Sequence, residues 1–145
     1  MRERIKNAIQ KATTLQQLED LLIKELNKIK KETGHSWQYV SGIITSDGPD
    51  KVVENSRILD EHTRRIESMY GLPTLSATVV FDDLIFAQIN ADKIPYNNWL
   101  LFWRKILKSG VFETIHMTPR WEKSTGAKDE LETAKELGLT VIYHQ

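Results

Sequence analysis

The sequence predicts an α/β fold, a three-layer parallel sheet with helices on both faces and an N-terminal helical extension. Three observations carry this. From residue 37 onward, short runs of aromatic and β-branched residues alternate with stretches of helical period. Glycine or proline punctuates the changes of period. The first 32 residues, by contrast, contain helical period and no strand-like run.

In order, Ile5, Ala8, Ile9 and Ala12 mark a short amphipathic helix, which Thr13 and Thr14 break. Leu15, Leu18, Leu22, Leu26 and Ile29 then recur at three- and four-residue intervals and form one apolar stripe, with Gly34 as the stop. Such a stripe either packs on its own domain or dimerises. Trp37–Ile44 reads as the first strand, Ser46–Pro49 as a turn, and a long helix follows to about Tyr70. Its expected buried side is Val52, Val53, Leu59, Ile66 and Met69, and Gly71 and Pro73 end it. Leu75–Phe81 is the expected second strand, and the irregular stretch Asp82–Asn97 a mobile loop over a crevice. A very apolar helix spans Pro95 to Ser109, then come a strand at Glu113–Met117, a helix at Ser124–Leu137 and a last strand at Thr140–Tyr143.

Strands alternating with helices imply parallel pairing through right-handed crossovers, as in flavodoxin-like and Rossmann-like sheets. The division is an extension over 1–34 and an α/β domain over 35–145. Ligands of such sheets sit beyond the carboxyl ends of the strands, where strand order reverses. The segments Trp37–Ser46 and Met117–Tyr143 both fall at strand ends of that kind.

Composition narrows the function classes. Twenty basic residues balance twenty acidic ones, so no global field points to a nucleic acid polymer or an anionic membrane. Cysteine is absent, which removes disulfides, thiolate nucleophiles and thiolate metal sites. The four histidines, at 35, 62, 116 and 144, lack ligand spacing, and no metal or cofactor is expected. No Walker loop, G-x-G-x-x-G or G-x-S-x-G occurs. The charged start MRERIKNAIQKA is unlike a signal peptide, no apolar run reaches the roughly 18 residues of a membrane span, and a cytoplasmic location is expected.

The chemistry-bearing residues cluster in the two segments. Ser124 is a helix N-cap, and Gly126 lets a ligand or another backbone approach the helix start. Glu130 lies two turns into that helix, beside the stripe Ala127, Leu131 and Ala134. It is either a solvated helical carboxylate or one aimed into the crevice. Trp121 either folds onto the core or offers a stacking face. Tyr39, Ser41 and Gly42 end the first strand, and the small pair after the tyrosine suits close backbone approach. Asp47 is a loop carboxylate at the end of the same segment.

The segments YVSGIITSD at Tyr39–Asp47 and STGAKDELETAKELGLTVIY at Ser124–Tyr143 resemble the nucleoside 2-deoxyribosyltransferase superfamily, which includes small nucleotide N-glycosidases and uncharacterised relatives. The aromatic–x–small–Gly turn is matched by Tyr39, Ser41 and Gly42, and the later signature by Gly126, Glu130, Ala134 and Gly138. The resemblance covers roughly residues 36–145. It implies cleavage or transfer at the N-glycosidic bond of a nucleoside or nucleotide, with Glu130 as nucleophile. It also implies that Ser41, Gly42, Ser124 and Gly126 surround the sugar or its phosphate, with Tyr39 and Trp121 near the base and Asp47 among the binding residues. A homo-oligomer, dimer or higher, is implied too. Two departures stand out. The loop after the third strand, where family enzymes often carry an aspartate, reads His116 to Glu122 with Glu122 its only carboxylate, and Ile43 follows the glycine. The alternatives to an enzyme are a nucleotide-binding sensor or scavenger using the same crevice, and a scaffold dimerising through residues 1–32.

Overall fold

A computed structural model describes residues 1–145. Helices α1 (Arg2–Ile9) and α2 (Leu15–Thr33) come first. Strand β1 (Trp37–Ser41), helix α3 (Val52–Tyr70) and strand β2 (Thr74–Leu75) follow. Two short helices, α4 (Ala77–Val80) and α5 (Asp83–Gln88), lead to α6 (Tyr96–Leu107). The chain closes with β3 (Phe112–Met117), α7 (Thr125–Glu136) and β4 (Thr140–Tyr143).

The four strands form one all-parallel sheet in the order β2-β1-β3-β4. The chain steps from β1 to β2 in one direction and then crosses back over β1 to reach β3. Right-handed crossovers place connections of opposite direction on opposite faces. Val40 accordingly packs with Leu59 and Ile66 of α3, whereas Tyr39 and Ser41 reach Glu130 of α7. The predicted three-layer α/β architecture is the observed one.

The N-terminal helices pack on their own chain. Seven of the 24 buried residues of the main core come from this segment: Ile5, Ile9, Leu18, Leu22, Leu26 and Ile29 from the helices and Ala12 from the link between them. The stripe is thus consumed inside the molecule rather than offered to a second copy. The indole Nε1 of fully buried Trp37 donates to the Leu26 carbonyl at 3.0 Å, which joins α2 to the first strand. Thr14 caps α2 by accepting from the Gln17 amide, and Gly34 ends it at φ 74°, a left-handed conformation that favours glycine.

Three sequence expectations need correction. The second strand stops after Thr74–Leu75 instead of running to Phe81. The β-branched run beyond it folds as α4, which buries Val79 and Val80 in the main core, while buried Ser76 bridges the hydroxyls of Thr63 and Thr78 at 2.9 and 2.8 Å. The inner face of α3 is Asn55, Leu59, Thr63 and Ile66, and Val53 and Met69 are 84% and 61% exposed. That face meets the polar side of the sheet, where Gln38, Thr114 and His116 are buried, so hydroxyl and amide groups suit it as well as apolar ones. Finally, the stretch from Asp82 to Asn97 is structured. Asp82 caps α5 through the Ile85 amide, Ile85 and Ile89 enter the core, and Gln88 Nε2 donates to the Gln10 carbonyl at 2.6 Å.

Candidate functional site

The strand order reverses between β1 and β3, and a cavity of about 890 Å³ opens at their carboxyl ends. This is the switch-point position at which open α/β sheets bind ligands, and the volume lies in the upper part of the usual range of about 300–1,000 Å³. The two strand ends are tied together there. Thr118 gives both its amide (3.0 Å) and its hydroxyl (2.8 Å) to the Ser41 carbonyl. Gly42 follows directly, and a Cβ on it would stand 2.3 Å from Thr118 Oγ1 and 3.1 Å from Leu59 Cδ1. Any side chain there would have to displace the Thr118 hydroxyl.

Glu130 forms part of the cavity wall. It occupies the inner face of α7 with Ala127, Leu131 and Ala134, at i, i+3, i+4 and i+7, so the carboxylate is carried on the buried stripe itself. Its residue exposure is 8%. Tyr39 Oη donates to Oε2 at 2.8 Å and Ser41 Oγ to Oε1 at 2.6 Å. Burial pushes the Glu130 carboxyl up to about 7, partly offset by the Ser41 and Tyr39 hydrogen bonds that favour the anion. Tyr39, buried against the rings of Phe112 and Trp103, has its phenol pushed well above the ordinary value, first by burial and then by the neighbouring carboxylate. Tyr39 is therefore a donor, and the pair Tyr39–Ser41 holds a carboxylate whose ionisation falls near neutrality.

The helix start is built as the sequence indicated. Ser124 Oγ accepts from the Ala127 amide at 3.1 Å, and Ser124 and Gly126 both line the cavity. A Cβ on Gly126 would meet only Ser124 Oγ and Tyr96 Oη, each at 3.9 Å, which is ordinary contact. The two glycines thus differ in kind. Gly42→Ala is expected to cost about 1–3 kcal/mol because the Thr118 hydroxyl must move. Gly126→Ala is expected to stabilise slightly, by no more than about 1 kcal/mol, through helix propensity. Urea denaturation of both variants checks this; equal effects of the two would contradict it.

Of the residues singled out from the sequence, Tyr39, Ser41, Gly42, Ser124, Gly126 and Glu130 meet at this cavity. Asp47 and Trp121 do not line it. Asp47 accepts from Asn55 Nδ2 at 3.0 Å and from Arg120 at 2.8 Å, which holds its carboxyl below the usual value. It joins the loops after β1 and β3. Trp121 lies against Tyr143 with ring centroids 5.7 Å apart, beside the last strand. Asp129, next to Glu130, forms an ion pair with Arg104 of α6 at 2.9 Å.

The stretch Asp82–Asn97 does lie over the crevice, as its sequence position implied: Phe86, Asp92, Ile94 and Tyr96 line the cavity. Sequence reading missed the aromatic character of this wall, which Phe81, Trp99 and Trp103 complete. Phe81 and Phe86 stack at 5.1 Å, and Trp99 packs edge-on to both. The signal available was the density of aromatics in α6, which period alone could not separate from core packing.

Residues 92–143 match a family described as a domain of unknown function (DUF4406). The matched stretch holds α6, β3, α7 and β4, and so includes Glu130 but neither Tyr39 nor Ser41. No curated protein and no solved structure matches the chain.

Proposed function

We propose that this protein cleaves or transfers a glycosyl group at the N-glycosidic bond of a nucleoside or nucleotide, with Glu130 as nucleophile. The observation that carries this reading is one buried carboxylate in the wall of a switch-point cavity, with each oxygen held by a hydroxyl donor. A carboxylate in such a setting attacks the anomeric carbon of the sugar and stabilises the oxocarbenium-like transition state. The C–N bond breaks with its electron pair going to the base, which takes up a proton from water, and a glycosyl ester forms on Glu130. Water or a second base then resolves the ester with retention. Tyr39 and Ser41 are positioning residues that fix the direction of the carboxylate and favour its ionised form.

The test is a chromatographic screen of nucleosides, nucleotides and NAD for released base, comparing wild type with Glu130→Ala. Base release lost in the variant by about 10³-fold or more is the expected result. The ascending limb of kcat/KM against pH is expected near 7, because the carboxyl must ionise to attack. Release unaffected by the substitution would sink the reading.

A second reading, a binding protein without catalysis, draws on a different observation. No second carboxylate hydrogen-bonds Glu130, and Glu122 does not line the cavity. A ligand that raises the melting temperature without losing its base would favour it.

A further inference from the structure

The charges of the cavity wall are one-sided. Among its 23 lining residues there is no lysine, arginine or histidine, and there are two carboxylates, Glu130 and Asp92. The guanidinium groups of Arg104 and Arg120 are engaged elsewhere, with Asp129 and Asp47. The start of α7 is a partial counterweight at most, with the Gly126 amide at the cavity wall beside two amides already engaged. Its Ala127 amide is taken by Ser124 Oγ, and its Thr125 amide faces Ser46 Oγ at 3.4 Å. A phosphate of charge near −2 placed here would meet like charge with no cationic partner in a largely apolar enclosure. Much of the cavity wall is aromatic, with Phe81, Phe86, Trp99 and Trp103 among its lining residues. Aromatic rings in a cavity that also holds carboxylates attract cations, and tryptophan does so most strongly.

We infer that the cavity takes a glycoside without phosphate whose aglycone is a flat, cationic heteroaromatic ring, such as a ribosylated pyridinium. This rests on the glycosidic reading of Glu130 and names its substrate class. The chemistry then explains the missing acid. A neutral base needs a proton as it departs, whereas a ring that is already cationic in the glycoside departs neutral. Glu130 Oε bonds to the anomeric carbon, and the C–N⁺ bond breaks with its electron pair neutralising the ring nitrogen. Water hydrolyses the ester, releasing the free sugar and one proton and regenerating Glu130. No general acid takes part. Cation binding also favours the ionised form of Glu130, so uptake of the ligand is accompanied by proton release near neutral pH.

The test compares three probes on the full chain: nicotinamide riboside, its 5′-phosphate, and the reduced, uncharged dihydronicotinamide riboside. Base release gives kcat/KM, and calorimetry in buffers of different ionisation enthalpy gives binding and proton release. The riboside is expected to exceed each of the other two by on the order of tenfold or more. Trp99→Leu is expected to weaken the riboside roughly 2- to 10-fold, and Asp92→Asn, at an exposed position that the fold does not need, to weaken it in the same direction. A phosphorylated probe handled as well as the riboside, or an uncharged ring handled as well as the cationic one, overturns the inference. Glu130-dependent cleavage of neutral nucleosides with no action on the pyridinium would leave the glycosidic reading standing and remove this one. Selective binding of the riboside without base release would remove the glycosidic reading and the hydrolysis step with it, and leave only the class of ligand.

Discussion

Removal of residues 1–34 is expected to leave a chain that does not fold. The deletion takes away seven fully or almost fully buried residues of the main core and strips the cover from Trp37, whose indole then also loses the Leu26 carbonyl. Burial of a leucine or isoleucine side chain contributes about 1.5–3 kcal/mol. Six such residues together are worth on the order of 10 kcal/mol, comparable with the whole stability of a typical domain at about 5–15 kcal/mol. The polar links fail as well, since Arg2 pairs with Asp60 of α3 at 2.8 Å and Gln88 binds the Gln10 carbonyl. Far-ultraviolet circular dichroism and a urea titration of residues 35–145 check this. A cooperative transition in the shortened chain would show that the α/β part stands alone. A milder version, Leu22→Ala, is expected to cost about 2–5 kcal/mol.

The second large effect is a pH dependence of stability that Glu130→Gln unmasks. The folded carboxyl of Glu130 is raised from 4.5 to about 7, so the folded state binds a proton that the unfolded state releases in between. Its contribution to stability is fully present below about pH 4.5 and is lost as pH rises through 7, amounting to about 3 kcal/mol. His116 works in the opposite sense. Burial, and then His144 at 2.9 Å, lower it from 6.5 to about 4, so its stability is present above 6.5 and lost as pH falls through 4. Its acceptor at Nδ1 and donor at Nε2 follow from its partners. Gln38 spends its amide on Glu113, so Gln38 Oε1 accepts from His116 Nε2 at 2.8 Å. Between about pH 4.5 and 6.5 the two slopes oppose each other in the wild type. In Glu130→Gln the falling slope is gone, and stability should climb with pH through that window and exceed wild type above 7. Thermal denaturation of both proteins from pH 4 to 9 measures the difference curve, which isolates Glu130. A flat difference curve would contradict the raised carboxyl.

Much of this was legible in the sequence, for reasons that differ by element. Strand β4 and helix α7 are bounded by Gly138 and a serine cap, and local chemistry of that kind fixes ends without help from the rest of the fold. The meeting of Tyr39, Ser41, Gly42, Ser124, Gly126 and Glu130 was likewise implied by two strand ends and one helix start. The second strand was misread because LSATVVF has strand composition, whereas the turn at Ser76 is held in part by the hydroxyl of Thr63 in α3, a tertiary contact outside the local run. The inner face of α3 was misread because its partner surface is polar, and an amphipathic rule assumes an apolar one. Trp121 and Asp47 lie in the right loops but turn toward Tyr143 and Arg120, and a loop's side-chain direction leaves no periodic trace. The aromatic wall was invisible for a simpler reason: ring residues that line a cavity and ring residues that fill a core share one pattern.

The two faces of the sheet are unequal in what holds them. One carries the main core; the other, under α3, has only Val40, Leu59 and Ile66 as its buried apolar cluster, supplemented by hydroxyl and amide contacts. Local opening follows the distribution of buried apolar contact. The α3 layer is therefore expected to open more readily than the main-core face, and Val40, Val52 and Leu59 of that layer also line the cavity. The floor of the site is its softest wall, so a ligand that fills the cavity acts as a brace for the weak half of the protein.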